Sequence, residues 1–437
     1  MFYVIDEIPG AGKTCAAINF INNSPNEKFL YVTPFKTEVN RICLRCGFVQ
    51  PKDEYLIQKA DGETETKRIH KRVTIKYLIK QGKNIATTHT LFSLLDDETI
   101  EMLKSMKYIL MLDESLEVVE PWGKVDYDID VLLDKYCYTT ERGLIKWKKE
   151  MSDYPDVGGV YSDIKKELSD KYIAVNQNKI AVKMFPIEYF NAFKDTYIMT
   201  YLFNGNPQRM YFDYHNIKYN NLYVSGNSVE TYHFTNKEQI HKPTDFRKLI
   251  TIVDGKINDV GSDLSLSYTW YENQLKEGVG GENLNRIQKS AENFFQNKMP
   301  PLGYTSKDYL WTVYKDAKPR VVGKRYTNKQ FLSYTARATN DYADKKVLAY
   351  LINKYMNVNV KEFFKSFDIY IDEDTYSTGE MIQWIWRSAI RRGEHIYIYV
   401  PSYRMRTLLV NWIEEQSGKK IENREKLLTR PISKRRM

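Results

Sequence analysis

Phe2-Tyr3-Val4-Ile5-Asp6-Glu7-Ile8-Pro9-Gly10-Ala11-Gly12-Lys13-Thr14-Cys15-Ala16-Ala17-Ile18-Asn19-Phe20-Ile21 is the stretch that decides the fold class. A short apolar β-type run leads into a Gly-rich turn, and an apolar helical pattern follows it. That order suits a phosphate-binding loop. Glycines let backbone amides curl around phosphate oxygens, and the amino terminus of the following helix adds free N–H groups and a favourable dipole. Gly10, Ala11, Gly12, Lys13 and Thr14 form the candidate loop, with Lys13 bridging the β- and γ-phosphates and the Thr14 hydroxyl directed at Mg²⁺. The full pattern G-x-x-x-x-G-K-[ST] has a glycine where this chain has Glu7.

Such a loop predicts a partner, an apolar strand ending in an acid that holds the magnesium ion. Tyr108-Ile109-Leu110-Met111-Leu112 runs directly into Asp113-Glu114, and a buried parallel strand reads as an unbroken hydrophobic run of this kind. Asp113 is the candidate magnesium residue. Glu114 is placed to orient and deprotonate an attacking water. Phe29 to Pro34 and Asn84 to Thr88 are further strand candidates, the second leading into a predicted helix at His89-Thr90-Leu91-Phe92. In an open parallel sheet ligands sit beyond the carboxyl ends of the strands, the rim where Thr33, Pro34, Phe35, Thr88 and His89 emerge. As a lone residue, His89 is equally well a loop histidine.

These motifs resemble a two-lobed DNA or RNA helicase of superfamily two. Pro9 to Thr14 looks like motif I, in a helicase-type form that often lacks the first glycine, and Asp113-Glu114-Ser115-Leu116 looks like the D-E-x-x motif II. The resemblance implies ATP and Mg²⁺ as cofactors and two RecA-like lobes. It further implies that Thr33-Pro34-Phe35 and Thr88-His89 act as motifs Ia and Ib on the nucleic-acid backbone. Thr200 and Tyr201, ending a predicted strand from Thr196, are similar to motif III, which couples the ATP state to nucleic acid, although the usual Ser-Ala-Thr is absent. Residues 117–190 are too long for a connecting loop and are read as an insertion with its own small fold and a helix around Tyr161 to Tyr172.

From about 241 the chain restarts. Lys248 to Val253, Tyr309 to Tyr314, Gln330 to Tyr334 and His395 to Val400 alternate with helical stretches, the pattern of a second α/β sheet, and no second phosphate loop occurs among them. The expected organisation is residues 1–240 as a lobe with motifs I and II and residues 241–437 as a second lobe. Gln383-Trp384-Ile385-Trp386-Arg387-Ser388-Ala389-Ile390-Arg391 looks like motif VI, with Trp386 in place of its glycine and the second arginine one residue late. Arg387 and, second, Arg391 are the candidate arginine fingers, four apart on one face of a predicted helix. A basic helix face beside a tryptophan core is the competing reading. Arg337 suits motif V by its order, and the faint T-R-A pattern around it leaves superfamily one open. Pro401 to Arg406 offers either phosphate contacts or solvated charge.

A hydrophobic share of 42% and a charged share of 28% fit a globular chain, and no apolar run approaches the ~20 residues of a membrane helix. Asp6 and Glu7 interrupt the first apolar run before a signal sequence can form, and four cysteines are too few for a disulfide framework. A cytoplasmic protein with no membrane partner is expected. The net charge of +9 agrees with a polyanionic partner without naming one. The reading that follows is an α/β ATP hydrolase acting as a helicase or translocase on single-stranded or forked DNA, in replication, recombination or repair. Replication or recombination proteins are its expected partners, and a phage or mobile element is its expected source. A terminase-like packaging ATPase shares motifs I and II, and a nucleotide-switch binding module would need the loop alone.

Overall fold

A parallel sheet beginning with Phe2–Asp6 (β1) organises the first half of the chain. The structure is a computed structural model that describes residues 1–58, 64–68, 70–123, 128–148, 164–165, 167–168, 172–238, 245–258, 260, 265–276, 281–335 and 341–418, without the side chains of 54–58, 64–68 and 128. Two units are distinguished, Met1–Gln239 with Met356–Asp372 and Ile240–Tyr355 with Glu373–Met437. Each is α/β, built on a mainly parallel sheet flanked by helices.

In the first unit the remaining strands of the main sheet are β2 (Phe29–Thr33), β3 (Ile85–Thr88), β4 (Ile109–Asp113), β5 (Asp195–Thr200), β6 (Asn220–Ser225) and β7 (His233–Thr235). Their order across the sheet is β7-β6-β1-β5-β4-β2-β3, and β7 alone runs antiparallel to its neighbour. Every residue of β2 and β4 is buried, which is why both read as continuous apolar runs rather than alternating ones. Helix α1 (Lys13–Asn22) follows the loop and buries Ala16, Ala17, Ile18 and Ile21 against this sheet. Helices α2 (Lys36–Cys46), α3 (Lys71–Lys80), α4 (His89–Phe92) and α5 (Asp97–Ser105) make the crossovers between β2, β3 and β4. Asp96 caps α5, its carboxylate accepting from Thr99 N at 3.0 Å. Helix α6 (Pro207–Tyr214) follows β5, capped by Asn206 with Pro207 in the first turn.

The region expected as an insertion contains a three-stranded antiparallel sheet of Val119–Pro121, Ala181–Met184 and Tyr172–Val175. A small core of Trp122, Ile129, Leu132, Ile145, Ile164 and Ile173 lies beside it. The helix expected around Tyr161 to Tyr172 falls mostly outside the described residues, and Tyr172 begins a strand. Met356–Asp372, placed by sequence in the second lobe, packs with the first unit.

The second unit has four parallel strands, β8 (Ile250–Ile252), β9 (Tyr309–Thr312), β10 (Val347–Tyr350) and β11 (Ile396–Tyr399), in the order β8-β11-β10-β9. Helices α7 (Tyr268–Leu275), α8 (Gly281–Asn293), α9 (Glu373–Ile385) and α10 (Tyr403–Gln416) cover it. The strand expected at Gln330 to Tyr334 does not form. Thr327 and Gln330 close a capping box around the turn Asn328–Gln330, and Phe331 makes only an isolated bridge to Trp311 while its ring packs edge-on against that indole. Among the described residues no helix is long and apolar enough to cross a membrane.

Candidate functional site

Register brings three strand ends side by side. Asp6 pairs with Thr200 and Met199 pairs with Asp113, so β5 lies between the strand that feeds the Gly-rich loop and the strand that ends in the acids. With neighbouring strands ~4.8 Å apart, the loop and Asp113 face each other across about 10 Å, with Thr200 in the middle. Main-chain bonds fix the arrangement, since Glu7 N donates to Thr200 O at 3.2 Å and Glu114 N donates to Met199 O at 2.9 Å.

The loop has a definite conformation. Gly10 (φ 93°) and Gly12 (φ 89°) occupy left-handed backbone, which explains why glycine stands at these two positions. Ala11 N donates to Ile8 O at 3.1 Å, and the Lys13 ammonium donates to the carbonyls of Glu7 and Ile8. Desolvation pushes the Lys13 amine down to about 8, against the opposing pull of Asp113, Asp6, Glu7 and Glu114. Gly12 also sits under the ring of Tyr232, where a Cβ would come within 2.7 Å of ring atoms. Asn19 of α1 holds that segment by donating to Tyr232 O at 2.9 Å.

Glu7 has a structural explanation. It is buried, its backbone is not in the left-handed region that would call for glycine, and its carboxylate accepts from Val224 N at 3.4 Å. It thereby ties the base of the loop to β6. Asp6 accepts from Phe203 N at 2.9 Å and so anchors the turn that follows Thr200.

On the acid side, burial first and the neighbouring Glu114 second push the Asp113 carboxyl up to about 7, while Thr33 and Lys13 pull it down. Thr33 Oγ1 donates to Asp113 Oδ2 at 3.2 Å, and His89 Nε2 lies 3.0 Å from Asp113 O. Glu114 takes a positive φ of 61°, and this turn redirects the chain after β4. Its loop is held by two residues that the sequence did not single out: Asn206 Nδ2 donates to Ser115 Oγ at 2.7 Å and Gln208 Oε1 accepts from Leu116 N at 3.1 Å. The Asn206-Pro207 helix start was a usable signal for them.

Two of the residues expected at the nucleic-acid backbone have their hydroxyls engaged within the unit. Thr33 is fully buried with its hydroxyl committed to Asp113, and Thr88 Oγ1 accepts from Leu91 N at 3.3 Å as the cap of α4. The Thr33 hydroxyl thus serves the interior, and the half-buried Thr88 hydroxyl the start of α4. Pro34 and Phe35 are half-buried where β2 passes into α2, and Tyr201 is half-buried beyond Thr200. His89 belongs with the acids. Thr200 Oγ1 is buried and has no hydrogen-bond partner among the described residues.

The arginine helix is also corrected. Helix α9 ends at Ile385, and the chain turns as Arg387 N donates to Trp384 O and Ser388 N to Ile385 O, each at 3.0 Å, after which Ala389 N reaches Lys345 O at 2.9 Å. Arg387 is buried and Arg391 exposed, so the two do not share a helix face. Trp386, just beyond the helix end, packs against Phe246 and Trp412. Arg337 lies outside the described residues. Arg404 and Arg406 are committed inside the second unit, Arg404 to Lys354 O at 2.7 Å and Asp374 Oδ1 at 2.7 Å, Arg406 to Val400 O at 2.8 Å.

Comparison with known proteins gives a family. The SPbeta prophage-derived uncharacterized protein YonV of Bacillus subtilis (strain 168) is 36% identical over 424 residues, spanning 94% of this chain and 98% of the relative. The chain belongs to the YonV family. Residues 244–413 of this YonV-family chain match the model of the YonV C-terminal Rossmann-like domain, the region containing the β8-β11-β10-β9 sheet. A solved structure described as that of S. tokodaii Xpd4 is similar over 94% of each chain, with 12% identity and a TM-score of 0.46. A prophage relative agrees with the phage or mobile-element source expected from sequence.

Proposed function

We propose that this YonV-family chain is an ATP-driven helicase or translocase acting on single-stranded or forked DNA. The observation that carries the reading is the placement of three strand ends on one rim: the Gly10–Thr14 loop, Thr200, and Asp113 with Glu114. A triphosphate needs amides and a cation at one end, a metal carboxylate at the other and a polar group between them, and the rim offers that sequence of groups across about 10 Å. The left-handed Gly10 and Gly12 let amides turn toward phosphate, and the buried Thr200 hydroxyl without a partner among the described residues suits a group completed by substrate.

In this reading Lys13 exchanges the carbonyls of Glu7 and Ile8 for phosphate oxygens. Thr14 and Asp113 are the residues that would hold Mg²⁺, which would neutralise phosphate charge. Glu114, fixed by its own amide and by the Asn206 and Gln208 contacts around it, orients the attacking water and takes its proton. His89 fixes the main chain at Asp113. Arg387, with Arg391 second, remains the candidate for stabilising charge on the transferring phosphoryl group. The nucleic-acid part rests on the sequence resemblance and on the net charge of +9. ATP hydrolysis measured with and without single-stranded DNA tests it. Stimulation is expected and its absence sinks the motor reading, while turnover retained by Lys13→Ala removes the phosphate-loop assignment itself.

A further inference from the structure

On the second unit a groove of about 540 Å³ lies between helix α8 and the turn that follows β8. Leu284, Ile287 and Ala291 fix the buried face of α8, which leaves Asn285, Arg286, Lys289 and Asn293 to line the groove, with Lys256 contributed by the turn. Arg286, Lys289 and Lys256 are exposed. The floor is tied to the sheet, since the Tyr399 hydroxyl at the end of β11 donates to Ile257 O at 2.6 Å. The groove therefore sits at the carboxyl rim of β8 and β11, where open parallel sheets place their ligands.

Charge selects the ligand. Three cations and one acid, Glu282, line the groove, and the nearby Asp254 carboxylate accepts from Gly255 N at 2.7 Å and Asn258 Nδ2 at 3.0 Å within its own turn. Of the lining side chains only Ile257 is aliphatic, and two are amides, a donor set that suits phosphate oxygens. From Glu282 to Asn293 the helix face extends about 16 Å, so roughly two to four consecutive phosphates of a single strand lie along it. We propose that this groove binds the phosphodiester backbone of single-stranded nucleic acid through Lys256, Arg286 and Lys289, with Asn285 and Asn293 donating to the same oxygens. The proposal rests on the nucleic-acid motor reading and gives the second unit a backbone contact. Backbone contacts carry no base preference, so deoxythymidylate and uridylate oligomers bind alike here.

The test uses the full chain and the triple variant Lys256→Glu, Arg286→Glu, Lys289→Glu, with the milder pair Arg286→Gln, Lys289→Gln if the triple variant does not fold. Anisotropy of a labelled 20-residue deoxythymidylate oligomer is titrated at several salt concentrations, alongside oligouridylate and free ATP. The triple variant is expected to bind both oligomers at least tenfold more weakly, with a salt slope reduced by about 2 for three lost contacts on a single strand. Its ATP binding and its hydrolysis without nucleic acid should be unchanged. Unchanged oligomer affinity and slope in a folded variant overturn the groove, as does a loss confined to free ATP. A wild type that binds neither oligomer overturns the motor reading and the groove with it. Hydrolysis stimulated at the same half-saturating oligomer concentration in wild type and variant keeps the motor and removes only the groove.

Discussion

Gly12→Ala separates two reasons for a glycine in the Gly10–Thr14 loop. The first is backbone conformation: at φ 89° an L-residue in left-handed space is destabilised by ~1–2 kcal/mol, and the reduced freedom of the unfolded chain returns ~0.4–1 kcal/mol. The second is the Tyr232 ring, three of whose atoms lie 2.7–2.8 Å from the position of a Cβ. Ordinary carbon contacts of ~3.5–4.0 Å require the ring to retreat by close to 1 Å, and its main chain is held by Asn19, so an overpacking cost of ~1–3 kcal/mol applies. The sum is a local destabilisation of about 2–3 kcal/mol. In a Tyr232→Ala background the steric part vanishes and Gly12→Ala costs only ~1 kcal/mol. Hydrogen exchange at the amides of α1, which reports local opening, measures both, and ATP affinity should fall and partly recover in parallel. Equal costs of Gly12→Ala in the two backgrounds would refute the close approach of Tyr232 as a cause.

Three further expectations follow from single contacts. Asp96→Ala removes the cap of α5, whose carboxylate also meets Lys76 at 2.7 Å, and should destabilise the first unit by ~1 kcal/mol in a melting experiment. Hydrogen bonds from Lys76 and Thr99 outweigh desolvation and hold this carboxyl down to about 2, so its contribution is present above pH ~4 and fades as pH falls toward 2. His215 is pushed down to about 4 by desolvation and by Arg142. The unfolded chain therefore binds the extra proton between pH ~6.5 and 4, stability falls by on the order of 2–3 kcal/mol across that window on acidification, and His215→Phe should flatten that part of the stability profile. Arg387→Ala should leave ATP binding close to normal and lower turnover by ~10³ or more; wild-type turnover would return Arg387 to a structural role beside Trp386.

The first unit was legible where one residue type serves one physical need. A fully buried parallel strand has no polar face, so Phe29–Thr33 and Ile109–Asp113 announced themselves. Left-handed turns need glycine, so Gly10 and Gly12 did too. Glu7 was opaque because the sequence pattern asks only whether glycine is present, whereas the structure needs no positive φ there and uses the side chain to reach Val224 N. Strands β6 and β10 escaped notice: Asn220–Ser225 is polar at one end, and Val347–Tyr350 is only four residues long.

Hydroxyl assignments were the least legible, for a reason that extends beyond this chain. A threonine at the end of a parallel strand can face outward over the rim or sideways into a neighbouring strand end, and one sequence position does not distinguish these. Strand order does. Thr33 ends β2, which neighbours β4, so its hydroxyl falls on Asp113. Thr200 ends β5, between β1 and β4, and its buried hydroxyl meets no partner among the described residues. The same residue type at the same place in its strand thus donates to the candidate metal carboxylate in one case and meets no partner among the described residues in the other. The β6-β1-β5-β4-β2 order, set by long crossovers whose pairing the local pattern does not encode, separates the two.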